Sequence, residues 1–129
     1  MNNYQLTIKE VLYIIKTSRN YGKKSSAKLH TITVKELIRD VLNLKYTLDI
    51  VSTELNSVVR VKMDNDMLAI LEAIEYIEDT EEIISLLSNN DTSVKGLSKL
   101  PKPRLVEIFL RLENLMYRIE DILEVTNND

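Results

Sequence analysis

The sequence contains no cysteine and no tryptophan, one phenylalanine, two glycines, two prolines and one histidine. Each shortage excludes something. Without cysteine there are no disulfides, no thiolate nucleophile and no Cys-based zinc site. Gly22 and Gly96 stand too far apart for a G-x-x-x-x-G-K-[ST] phosphate loop, two glycines are too few for a G-x-G-x-x-G dinucleotide turn, and neither pattern occurs. The scarcity of glycine and proline also argues against a fold of many short strands, which needs many tight turns. Without cysteine there is no Cys-His pair, and a lone histidine, His30, cannot supply the paired E-x-x-H motifs of a di-iron bundle. Histidine phosphotransfer bundles carry Lys and Gly three and four residues after their histidine, whereas Thr33 and Val34 stand there.

Long hydrophobic runs are missing too. No run exceeds the length of Val11 to Ile15, far too short to span a bilayer, and the N-terminus lacks a basic start followed by an apolar stretch. A cytoplasmic protein with no membrane association is the expectation. What remains is 129 residues with 44% apolar and 29% charged side chains, the balance of one globular domain with an aliphatic core.

The apolar residues follow helical spacing. Ile8, Val11, Leu12 and Ile15 line one face of a helix expected from about Ile8 to Arg19, with Thr7 and Glu10 as a capping box. A basic, Ser-rich connector covers 23–33. A second capping box, Thr33 and Glu36, opens the most regular segment, in which Val34, Leu37, Val41, Leu44, Leu48, Val51, Leu55 and Val58 alternate at spacings of three and four. This helix should run to about Arg60, roughly 39 Å at 1.5 Å per residue. A third helix is expected from Met67 to Leu87, its stripe interrupted at Glu81. A connector over 88–102 has room for one short turn capped by Asp91 or Thr92. Pro103 suits the first turn of a last helix reaching about Val125. The fold class is therefore all-α, an antiparallel helical bundle of three long helices and a shorter N-terminal one, with coiled-coil-like packing over a single domain, 1–129.

Charge is segregated. Residues 1–62 carry eleven Lys or Arg against five acids, 63–94 carry nine acids and no base, and 95–129 carry six of each. Lys16, Arg19, Lys23, Lys24 and Lys28, with Tyr21 among them, form a candidate nucleic-acid contact, because cations neutralise phosphates and a tyrosine ring stacks on a base. Lys95, Lys99, Lys102 and Arg104 form a smaller basic focus just before a helix start, where free amides attract anions. Both foci have a simpler reading as solvated connectors that balance the acidic helix.

Glu72, Glu75, Glu78 and Glu82 share one helical face and are candidate oxygen ligands for magnesium. Helical nucleotide pyrophosphatases pair E-x-x-E with E-x-x-D on the next helix. Glu72-x-x-Glu75 supplies the first half, but the last helix offers no E-x-x-D, so a magnesium-dependent nucleotide hydrolase ranks last of three readings.

The first reading is a non-enzymatic interaction module without a cofactor, a small accessory or scaffold subunit that binds a protein partner and self-associates. Its expected interface is the seam of the second helix: Leu37, Val41, Leu44, Leu48, Val51, Leu55 and Val58. The second reading is a nucleic-acid-associated subunit using the basic 16–28 segment.

Overall fold

A computed structural model describes residues 3–22, 26–59 and 67–127. They form six helices: α1 (Asn3–Gly22), α2 (Ser26–Leu29), α3 (Val34–Val59), α4 (Met67–Leu87), α5 (Val94–Ser98) and α6 (Lys102–Asn127). No strand occurs among the described residues. The all-α helical bundle expected from spacing is the observed fold.

The long helices start and stop where their chemistry directs. At α3, the amide of Glu36 donates to Thr33 Oγ1 at 3.1 Å and the amide of Leu37 donates to the Thr33 carbonyl at 3.0 Å. Thr33 thus satisfies an amide that the first turn leaves orphaned. Thr33→Ala should cost about 1 kcal/mol of stability, read as a shift in the urea midpoint at unchanged slope.

At the other end of α4, Asn89 and Asn90 take left-handed backbone conformations, with φ of 56° and 61°. The amide of Asn90 donates to the Ser85 carbonyl at 2.7 Å and that of Asn89 to the Leu86 carbonyl. This is a Schellman stop with asparagine in the place glycine usually takes. Pro103 lies in the first turn of α6, whose opening amides at Arg104 and Leu105 donate to the Pro101 carbonyl.

Two expectations need correction. Helix α1 begins at Asn3, so Thr7 lies within it and not at its N-cap, and at 20 residues α1 nearly equals the 21 of α4. No proline or glycine precedes Thr7 to stop the helix from extending backwards. The short α5 is capped by Ser93, whose Oγ accepts from the Gly96 amide at 3.1 Å, while Asp91 Oδ1 accepts from the Ser93 amide and hydroxyl. Leu29 finishes α2, and the chain then turns, closed by the Thr31 amide on the Lys28 carbonyl.

Packing follows from the stripes. Helix α6 packs against α1, α3 and α4, and α3 packs against α1, α4, α5 and α6. The contacts fix directions. The Arg104 guanidinium donates to the Leu87 carbonyl at 3.0 Å, and the Arg118 guanidinium lies 5.0 Å above the Tyr76 ring, so α4 and α6 are antiparallel. Lys45 Nζ donates to Thr92 Oγ1 at 2.7 Å, just beyond the C-terminus of α4, while Glu81, further back along α4, neighbours Asp49, so α3 and α4 are also antiparallel. Helices α3 and α6 therefore run parallel and begin at the same end of the bundle.

The core is continuous and almost entirely aliphatic, with Phe109 its largest member. The α3 seam lies inside it. Leu37, Val41, Leu48, Val51, Leu55 and Val58 are buried within the single chain, and Leu44 is half-buried. The expected interface along that seam is thus already occupied by α1, α4 and α6. Spacing marks a stripe that must be covered, and here the same chain covers it.

Candidate functional site

The surface is organised in three regions. The first is a groove of about 460 Å³ between α1, α3 and α6. Ile14, Leu44, Phe109 and Met116 supply its apolar lining, and Thr17, Ser18, Asn43 and Thr47 its hydroxyl and amide groups. Tyr13 and Tyr46 line it while remaining 73% and 69% exposed. A second, open groove between the start of α3 and α5 is lined by Val34, Ile38, Leu42 and Val94 and meets the first at Asn43. The outside of α3 therefore presents one interrupted apolar band.

Sequence reasoning passed over Tyr13 and Tyr46. The available signal was their position off the stripes. Tyr13 breaks the Ile8-Val11-Leu12-Ile15 set and Tyr46 lies between Leu44 and Leu48, so neither ring belongs to its helix's buried face.

The second region is acidic. Glu72, Glu75, Glu78 and Glu82 all project to solvent from α4, between exposed Leu68 and Leu86. They share a face, as expected, but no group of three acidic or histidine side chains among the described residues converges as a metal site would require. The carboxylates are exposed, and among the described residues no second helix brings acidic or histidine partners to them.

Glu81 explains the interrupted stripe of α4. It faces α3, where Lys45 and Asp49 stand, at the edge of a small polar recess that also includes Asn90 and Thr92. Burial raises its pKa above the ordinary carboxylate value, Asp49 and Glu78 push the same way, and Lys45 partly offsets them. A raised folded pKa means that the native state holds this proton more tightly than the unfolded chain does. Stability from this group therefore falls as pH rises from the unfolded carboxylate value through the folded one, and recovers on acidification. Glu81→Gln should raise the melting temperature at pH 7, with the gain disappearing near pH 4, as followed by circular dichroism.

The third region is basic. Lys16, from the expected nucleic-acid set, is paired with Glu124 on α6 at 2.9 Å, and both side chains remain largely solvated. Lys28 is exposed next to α2's end. The side chains of Arg19 and Tyr21, and residues Lys23 and Lys24, lie outside the described residues. What the structure does bring together is the connector and the second basic focus, since Lys102 Nζ donates to the His30 carbonyl at 2.8 Å.

These features define a class: a small helical bundle whose distinguishing chemistry lies on its outer faces. Among the described residues no helix is long and apolar enough to cross a membrane. No family model matches the sequence, and no solved structure matches it. Over 129 residues, the full length of both chains, the sequence is 91% identical to early protein GP17 of Bacillus phage B103. The chain belongs to the family of that phage early protein.

Proposed function

We propose that this chain is a non-enzymatic helical interaction module, a small accessory subunit that acts in the cytoplasm through its outer faces and self-associates within a larger assembly. The observation that carries the reading is the pair Tyr13 and Tyr46, exposed beside the apolar groove between α1, α3 and α6. Tyrosine is enriched where proteins meet, because it buries a large apolar ring and leaves a hydroxyl to bond at the rim.

The occupant is a second copy of the chain. Its surface carries the complementary charges itself, with nine acids and no base over 63–94 and an excess of six bases over 1–62. Like-charged chains would repel, whereas a chain segregated in this way offers each copy an opposite surface. The relative's name, an early protein of a phage, supports a small accessory part in a phage's early programme.

Light scattering after gel filtration tests the reading. The expected mass rises with concentration from 14.9 kDa towards twice that value. The double substitution Tyr13→Ala and Tyr46→Ala should return it to the monomer without lowering the melting temperature. A mass of 14.9 kDa at every concentration overturns self-association.

A further inference from the structure

Lys28 of the first basic focus meets the second focus at one end of the bundle. Because α3 and α6 run parallel, their N-terminal ends lie together, and α5 packs against α3 beside them. The bond from Lys102 to the His30 carbonyl draws the Lys28 connector to the start of α6. Arg104 is anchored at the same end by its bond to the last carbonyl of α4.

The charge balance there is one-sided. Residues 28–39 and 91–111 hold eight Lys or Arg against three acids, Glu36, Asp91 and Glu107. Two of the acids are already engaged. Asp91 accepts two hydrogen bonds from Ser93, which together with the nearby Lys99 and Lys95 hold its carboxyl below the usual range, and Glu107 pairs with Arg111. Lys28, Lys35, Lys95 and Lys99 are exposed, and Lys102 and Arg104 are half-exposed. The opening turns of α3 and α6 add the positive ends of two helix dipoles.

We propose that this end of the bundle, centred on Lys28, Lys35, Lys95, Lys99 and Lys102, binds the phosphate backbone of double-stranded nucleic acid. Cations spread over four helices, α2, α3, α5 and α6, suit a line of phosphates better than one small anion. The shortage of stacking groups favours the duplex. The aromatic side chains in these two stretches are Phe109, which is buried, and the single exposed ring of His30, so a run of unpaired bases finds no continuous platform. Contacts to phosphates alone position a protein without reading sequence. The site therefore takes duplexes of any sequence and releases them as salt rises.

The site differs from the basic 16–28 segment read from sequence. Of that segment it keeps Lys28 and adds lysines from α3, α5 and the start of α6. It also stands independently of self-association, since none of the five lysines lines the groove between Tyr13 and Tyr46.

Fluorescence anisotropy with two labelled 30-base-pair duplexes of unrelated sequence tests the proposal. A single strand of equal length and phosphatidylglycerol vesicles serve as competitors. Both duplexes should bind at 50 mM salt with equal affinity. For four or five phosphate contacts the slope of log K against log salt should be about −4, a loss of roughly 10²-fold by 200 mM. The double substitution Lys95→Glu and Lys99→Glu should weaken binding at least tenfold, and Lys95→Arg with Lys99→Arg should preserve it. Arg118→Glu, about 24 Å along α6 from Lys102, should change affinity less than twofold. Circular dichroism confirms that each variant folds.

Failure of the unmodified protein to bind either duplex at 50 mM salt overturns the site. So does an equal loss from Arg118→Glu, which would mean overall charge without location. Stronger competition by the single strand or by vesicles assigns the surface to a different partner and also overturns it.

Discussion

Phe109→Ala should lower the stability of the bundle by about 3–5 kcal/mol, a large part of the 5–15 kcal/mol that holds a domain of this kind together. Phe109 is the only phenylalanine and is 1% exposed. It sits on α6, the helix against which α1, α3 and α4 all pack. Truncation removes the ring's burial and leaves a cavity that three rigid helices cannot all move to fill. A denaturant titration should show the midpoint falling sharply. Tyr46→Ala, on the opposite wall of the same groove, should stay within about 0.5 kcal/mol because its ring faces water. The pair separates what the groove's lining does for the fold from what its rim does for a partner. Equal effects from the two substitutions would contradict the observed burial.

Gly96→Ala tests a backbone approach. Helix propensity alone predicts a gain of about 1 kcal/mol from replacing glycine within a helix. Space predicts the reverse. A methyl group on Gly96 would collide with the carboxyl carbon and backbone carbonyl of Asp91, and a backbone carbonyl cannot swing aside as a long side chain can. Asp91 is held in place by the two bonds it accepts from Ser93, which also caps α5. The expected net result is a loss of about 2 kcal/mol, within the range for overpacking, or about 6–10 °C in melting temperature. A stabilised Gly96→Ala variant would show that the connector yields at no cost.

The spacing of α3 and its Thr33 cap carried enough information to place that helix within a residue at either end. The same holds for α4, from Met67 to Leu87. These are the elements in which a stripe and an end signal coincide. The start of α1 was misread because T-x-x-E marks a cap only where the preceding residues leave the helix, and Tyr4 to Leu6 continue it.

The α3 seam exposed a deeper limit. A 3-4 repeat states that a face is buried and is silent on whether another chain or the same chain buries it. Glu81 was legible as an interruption, but its reason, Lys45 and Asp49 across the bundle, lies more than thirty residues away in the sequence. The basic end is similar. Each focus was visible alone, and the meeting of Lys28 with the second one depends on the parallel course of α3 and α6, which no local pattern encodes.

The central position of α6 bears on the order in which the protein comes into being. Synthesis proceeds from the N-terminus, and the helix on which α1, α3 and α4 all lean spans residues 102 to 127. A ribosome that has made the first hundred residues holds three amphipathic helices whose shared apolar faces still lack their main cover. Closure of the core must wait for the last fifth of the chain. Until then, the exposed stripes depend on chaperones or on the speed of translation to keep from aggregating.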